Sequence, residues 1–223
     1  SHLEIGRDRV WLDPVDVFRG KLSRLALHGG TSKKVQAEKP LDRTYAALAS
    51  FLNGKHDVEP FAYDWRLSMQ GEAKRFAARL NDQLKASEPP VRILAHSMGG
   101  LVARLAFAQS PDLWDRFRAR RGNRLVMLGT PSKGSFSIVR LLMARERTTK
   151  MLALLDFRNS ELDLLAFIRR FPGILELLPL DEHLDIFDSE TWKVLKQADS
   201  EGWMTPEKDD LAIARATWQL LKR

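Results

Sequence analysis

The 223-residue chain has the length of one ordinary domain, and its 44% hydrophobic and 29% charged residues are typical of a globular protein. We expect neither a membrane span nor a signal peptide, because no apolar run approaches the roughly 20 residues of a spanning helix and the start is polar. The absence of cysteine excludes disulfides and thiol chemistry.

The net charge of +7 is concentrated in the arginine-rich segment 115–124. We interpret this segment as a solvated helix face and loop, with an anionic membrane surface as the alternative partner. Nucleic acid is not expected as a partner, because no signature of a nucleic-acid-binding fold accompanies the arginines.

Strands and helices alternate over the first 131 residues. Short apolar runs bounded by turn residues predict extended segments, at 9–12, 57–65, 91–95 and 124–131. Apolar residues spaced three and four apart predict helices, at 41–52, 68–87 (with Ser68 as its cap) and 100–109. This alternation predicts an α/β fold with a parallel sheet covered by helices on both faces.

The pattern changes after Pro131, where we find no convincing strand. Leucine-rich stretches with helical spacing predict helices, at 137–146, 151–157, 161–171, 174–180, 188–198 and 205–223. The last has Thr205 as its cap and Pro206 at its first position. We therefore divide the chain into a core portion at 1–135 and a helical cap or lid region at 136–223.

The stretch "VRILAHSMGGLVARLA", residues 91–106, places Ser97 between a buried strand and a helix. The small residues Ala95 and Gly99, two before and two after the serine, let the chain turn sharply, as in the nucleophile elbow in its A-x-S-x-G form. Gly100 would allow close packing of the helix. An active-site serine is the favoured interpretation and an ordinary Ser-Gly turn is the alternative. Ser97 would be the catalytic nucleophile, and the N–H of Met98 would stabilise the oxyanion. His96 would point away, as a structural or rim residue.

The segment "AHSMGGLVAR" resembles the lipase-like α/β-hydrolases. Four further segments are similar to the lecithin:cholesterol acyltransferase-like branch, namely "DRVWLDP" at 8–14, "FAYDWRLS" at 61–68, "MLGTPSKGS" at 127–135 and "FPGILELLP" at 171–179. The resemblance implies an α/β-hydrolase sheet and a Ser-His-Asp triad acting on acyl esters, often of lipids, with no metal or organic cofactor.

The resemblance also implies positions around the pocket. Asp64, Trp65 and Arg66 would lie beside it, with a purely structural loop pair as the alternative. Another group of residues would line the opposite rim, namely Thr130, Pro131 and Gly134. The leucine-rich helices would form a lid over an acyl pocket, or would simply pack on the core.

The sequence departs from the family pattern in the remaining triad positions. The triad order in this fold is serine, acid, histidine, yet the one histidine after Ser97 is His183, which lies in the predicted cap without a strand before it. We interpret His183 as a surface histidine, with the catalytic base as the alternative. No aspartate stands out at a strand end; those considered are Asp156, Asp163, Asp181 and Asp185.

The N-terminal part of the chain is also shorter than the family pattern requires. The loop that supplies the second oxyanion donor would precede residue 1 in the family register, although "RLALHGG" at 24–30 is a rival. We therefore expect the parallel sheet to be incomplete in this chain, with the rest supplied by a larger parent protein or another chain. Alternatively, the late helices cover the open edge.

Two hypotheses follow. The first is a serine hydrolase or acyltransferase that acts on acyl, and especially lipid, esters through an acyl-enzyme on Ser97. The second is a catalytically incomplete lipid-binding or regulatory module that has kept the turn and lost the triad.

Overall fold

The computed structural model describes residues 3–5, 8–11, 27, 35–37, 42–86, 89–145, 160–199 and 203–222, and its strands form two sheets. In the first sheet, β1 (Leu3–Ile5) pairs antiparallel with both β2 (Asp8–Trp11) and β3 (Val35–Ala37). In the second, β4 (Arg92–His96) pairs parallel with β5 (Arg124–Leu128). The strands predicted at 9–12, 91–95 and 124–131 are thus confirmed as β2, β4 and β5.

Helices make up most of the described structure. They are α1 (Asp42–Asn53), α2 (Met69–Ala86), α3 (Met98–Gln109), α4 (Pro111–Ala119), α5 (Phe136–Leu142), α6 (Glu161–Ile168), α7 (Pro172–Leu175), α8 (Ser189–Gln197) and α9 (Lys208–Leu221). The helices predicted at 41–52, 68–87 and 100–109 are confirmed. The helix predicted at 151–157 lies outside the described residues.

The strand predicted at 57–65 is wrong, because residues 57–64 are irregular. A strand needs a neighbour to accept and donate its ladder bonds, and none pairs with this segment within the described part of the chain. Side chains of α2 hold the segment instead. Arg79 forms an ion pair with Glu59, and Arg75 donates to the carbonyl oxygen of Ala62 at 3.1 Å.

The boundaries of two C-terminal helices also differ from the prediction. The helix predicted at 174–180 stops at Leu175, because the following backbone bonds to the loop after β5. Leu177 accepts from the Ser135 N–H at 2.9 Å, and Leu180 donates to Lys133 at 2.8 Å. The helix predicted from Pro206 begins at Lys208, so Thr205 is not its cap.

One face of the β4–β5 pair is open. The strand register places Leu94 beside Val126, and Leu128 lies further along the same face; these three side chains are 42%, 46% and 44% exposed. Parallel sheets normally have both faces covered. The predicted cover of helices on both faces is therefore wrong for this two-stranded sheet, because the face that carries these three side chains is exposed.

The opposite side of the structure holds the core. Helix α2 packs along α3, and α9 packs on both α3 and α7. The largest fully buried side chains include Trp192, Trp203 and Trp218 from the C-terminal part of the chain. The same apolar cluster contains Leu101 and Leu105 of α3, so the late helices share a core with the helix that follows Ser97. No helix within the described ranges combines the length and apolarity needed to cross a bilayer.

Candidate functional site at Ser97

Ser97 lies in a sharp turn between β4 and α3. Its backbone has φ 53° and ψ −129°, and its side chain is exposed. The Ser97 N–H donates to the Leu128 carbonyl oxygen at 2.9 Å, and the Ser97 carbonyl oxygen accepts from Gly100 N–H at 3.0 Å. The predicted switch from strand to helix is therefore present, and a hydrogen bond to β5 holds the turn while Ser97 stays exposed.

The small residues around the turn differ in how strictly they are needed. Ala95 is buried beneath the turn. A Cβ on Gly100 would overlap the Thr130 side chain, lying 2.7 Å from its Cγ2 and 2.9 Å from its Cβ. At Gly99 the nearest atom would be the Tyr63 hydroxyl oxygen, at 3.8 Å. The close helix packing predicted at Gly100 is therefore confirmed.

Met98 is the first residue of α3, and the first N–H groups of a helix have no partner within the helix. Such a group can donate to a charge that develops beside it. The Met98 side chain is buried and packs on Gly173, where a Cβ would lie 3.0 Å from the Met98 Cε. The Met98 side chain thus packs against the segment that begins at Phe171.

The backbone at Ser97 stores strain that a glycine would release. A residue with a Cβ in this region of positive φ costs about 1–3 kcal/mol. We expect Ser97→Gly to exceed Ser97→Ala in free energy of unfolding by about 1 kcal/mol, after subtracting glycine's larger entropy loss on folding. Urea denaturation of both variants measures the difference. Equal stability, or a more stable alanine variant, would show that the turn is unstrained.

Asp64 and Arg66 form a buried ion pair in the loop beside the turn. The Arg66 Nε and Nη2 donate to the two Asp64 oxygens at 2.9 Å and 2.5 Å, and the Arg66 backbone N–H donates to Oδ1 at 3.0 Å. Asp64 is 5% exposed and Arg66 is 2% exposed. Their described contacts favour the structural alternative, in which the pair shapes the loop at 64–67.

The residues expected at the other rim of the pocket, Thr130, Pro131 and Gly134, do not all lie beside Ser97. Thr130 packs on Gly100, and its buried hydroxyl has no hydrogen-bond partner within the described residues. Gly134 adopts φ 77°, and a Cβ there would lie 2.7 Å from the Pro179 Cα. Thr130 therefore adjoins the turn at Ser97, whereas Gly134 packs on the chain that follows α7. Pro131 lies between them and is half-buried.

Glu176 is a fully buried carboxylate that joins three elements. Its Oε1 accepts from the Ser68 and Thr217 hydroxyls at 2.7 Å each, and its Oε2 accepts from the Met69 N–H at 2.6 Å. Gln70 donates in turn to Thr217 at 2.8 Å. Because Met69 begins α2, the carboxylate lies where the helix dipole favours negative charge. Our sequence interpretation missed Glu176; the signal was a lone acid inside the apolar run "ILELLPL".

Burial raises the pKa of Glu176, although hydrogen bonds from Ser68, Met69 and Thr217 oppose the shift. A folded-state pKa above the unfolded value means that the native protein binds this proton more tightly. The resulting stabilisation is full below the pKa of an unfolded glutamate, about 4.3, and is lost as pH rises through the native pKa.

We therefore compare the free energy of unfolding of the wild type with that of Glu176→Gln. The wild-type value minus the variant value should fall as pH rises from the pKa of an unfolded glutamate to the raised pKa of native Glu176. Glutamine does not titrate, so the difference isolates this carboxyl. Urea denaturation of both proteins between about pH 4 and pH 8 measures it. A difference that grows with pH would contradict the raised pKa.

The structure does not assemble a triad from the histidines it describes. His96 places its Nδ1 2.6 Å from the Tyr45 hydroxyl oxygen, while His183 is exposed in a loop that Asp181 stabilises through backbone N–H groups. Within the described ranges, no hydrogen bond joins a histidine to Ser97. Of the rival oxyanion loop at 24–30, Leu27 alone is described, so that prediction lies almost wholly outside the described residues.

A family model described as lecithin:cholesterol acyltransferase matches residues 49–212, which is more than half of the chain. The chain belongs to the lecithin:cholesterol acyltransferase family. The matched range contains Ser97, the loop at 64–67 and the segment 171–179. The predicted resemblance to this lipase-like branch is thus confirmed. Membership in the lecithin:cholesterol acyltransferase family indicates an α/β-hydrolase fold.

The chain is also similar to the uncharacterized protein YJR098C of Saccharomyces cerevisiae, with 35% identity over 83 residues. The match covers 36% of this chain and 11% of the yeast protein, so this chain spans a small part of that relative's length. No solved structure matches this member of the lecithin:cholesterol acyltransferase family.

Proposed function

We propose that the protein is a serine hydrolase or acyltransferase that forms an acyl-enzyme on Ser97. The observation that carries the proposal is the strained turn that presents this hydroxyl at the carboxyl end of β4. The Ser97 oxygen attacks the ester carbonyl, and the Met98 N–H stabilises the oxyanion that forms. The alcohol then leaves, and the acyl group passes to water or to a second alcohol.

The proposed substrate is an acyl ester of a lipid, with phospholipids as the first class to test. Membership in the lecithin:cholesterol acyltransferase family supports this choice. The helices of the C-terminal part share an apolar core with α3. This shared core supports the proposal that the cap region at 136–223 packs against the core portion at 1–135.

The proposal requires a base that takes the Ser97 proton. Since no described histidine is hydrogen-bonded to Ser97, we propose that the histidine and the acid lie outside the described ranges or in a larger parent protein. The same observation favours the second candidate function, a lipid-binding module without turnover. Lipid binding that survives Ser97→Ala, without ester cleavage by the parent protein, would favour this second candidate.

The arginine-rich segment 115–124 lies at the other end of the sheet from Ser97. It leads into the amino end of β5, whereas Ser97 follows the carboxyl end of β4. Arg116 donates to Asn81, and Arg118 pairs with Asp115. These contacts support the solvated helix face rather than the membrane alternative, so we propose that the lipid is bound at the Ser97 end.

We expect a fluorophosphonate to label the wild-type protein, in the parent protein where one exists, and Ser97→Ala to abolish labelling. The phosphonate bonds to an activated serine hydroxyl, which alanine lacks. Mass spectrometry of the labelled peptide identifies the residue. Ser132→Ala, which removes another exposed serine, is the matched control and should label fully. Failure of the wild type to react would overturn the proposed enzymatic function.

A further inference from the structure

The segment 171–176 lies against both parts of the proposed site. The Gly173 N–H donates to the Arg66 carbonyl oxygen at 3.2 Å. A Cβ on Gly173 would overlap the Trp65 carbonyl oxygen and lie 2.6 Å from that of Leu67. The Met98 Cε packs on the same glycine. A shift of this segment would therefore move both the loop at 64–67 and the residue that follows Ser97.

One buried side chain links this segment to α2 by hydrogen bonds. Glu176 directly follows the short helix α7, and its carboxylate receives the three hydrogen bonds from Ser68, Met69 and Thr217. These donors belong to the start of α2 and to α9, so a single buried group connects three elements. Buried donors that lose their acceptor are costly. The Thr217 hydroxyl can still donate to the Ile213 carbonyl oxygen at 3.3 Å, so we expect the segment to shift mainly because the Met69 N–H and the Ser68 hydroxyl lose their acceptor.

We propose that Glu176 is a positioning residue for the Ser97 site. It holds segment 171–176, and through Gly173 this segment sets the position of Met98 and its oxyanion-stabilising N–H. The inference rests on the proposed function, since it assigns Glu176 an effect on the acyl-transfer step. Glu176 itself touches neither the ester nor Ser97.

The test compares two substitutions at this position. Glu176→Gln keeps an acceptor for the Met69 N–H, and the Ser68 and Thr217 hydroxyls can turn to accept from the new amide. Glu176→Leu has similar size and accepts nothing. Fluorophosphonate labelling yields a maximal rate constant and a half-saturating concentration. We expect the rate constant to fall at least about tenfold in Glu176→Leu with the half-saturating concentration unchanged, and to stay within about twofold in Glu176→Gln.

A control variant separates positioning from general destabilisation. Asn123 is also buried; it accepts from the Val91 N–H at 2.7 Å and donates to the Phe117 carbonyl oxygen at 2.8 Å, at the amino end of the strands. Asn123→Leu should lower stability without lowering the maximal labelling rate. Should Glu176→Leu fail to fold, Thr217→Val removes one of the three donors and should show a smaller loss of the same kind.

Methionine-methyl NMR supplies a readout that needs no activity. The Met98 methyl signal should shift in Glu176→Leu, stay near its wild-type position in Glu176→Gln, and remain unchanged in Asn123→Leu. An unchanged Met98 signal in Glu176→Leu, or an equal loss of labelling rate in Asn123→Leu, would overturn the positioning role. An unlabelled wild type with a shifted Met98 signal would instead overturn the proposed function while retaining the structural link.

Discussion

Replacing Arg66 by methionine is expected to lower the free energy of unfolding by about 3–5 kcal/mol, because it leaves the Asp64 carboxylate buried without its cation. Both side chains are almost fully buried, and the guanidinium makes two hydrogen bonds to the carboxylate. Urea denaturation measures the loss.

The double variant Asp64→Leu with Arg66→Met gives the sharper result. Removing both charges leaves no unpaired ion, so the double variant should be more stable than Arg66→Met alone, with a coupling energy of about 2 kcal/mol. Arg118→Met is the matched control, since it breaks an exposed pair with Asp115 and should cost less than about 1 kcal/mol. Equal losses at Arg66 and Arg118 would show that the buried pair contributes no more than a surface one.

Replacing Gly173 by alanine is expected to cost about 3 kcal/mol, at the upper end of overpacking effects. The new Cβ would overlap carbonyl oxygens of Trp65 and Leu67. These are backbone atoms of a loop that the Asp64–Arg66 pair holds in place, so they cannot move aside as a flexible side chain would. Because Met98 packs on the same glycine, fluorophosphonate labelling of Ser97 should fall as well.

Gly71→Ala provides the control for this substitution. A Cβ on Gly71 would meet nothing within 4 Å, and the residue lies within α2. Alanine should therefore stabilise the helix there by up to about 1 kcal/mol. Thermal unfolding of both variants measures the contrast, and a Gly173→Ala protein as stable as Gly71→Ala would contradict the close packing of segment 171–176.

The outcome for individual elements shows how far the sequence determines the fold. The periodicity of α2 and the apolar runs of β4 and β5 depend on neighbours within a few positions, and these elements were predicted close to their observed bounds. Residues 57–65 have a strand-like composition but are irregular, because strand formation requires a partner supplied by distant chain. The last turn predicted for 174–180 was lost because its backbone bonds to the loop at 133–135.

The same distinction applies to the candidate site. The sequence alone determined the strand–turn–helix at Ser97, since small residues and local hydrogen-bonding rules specify that turn. The tertiary structure decided which residues support it: Thr130 against Gly100, Gly173 against Met98, and Glu176 between α2 and α9. The physical reason is that close approach and buried hydrogen bonds depend on segments far apart in the chain, and local sequence carries no record of which segments meet.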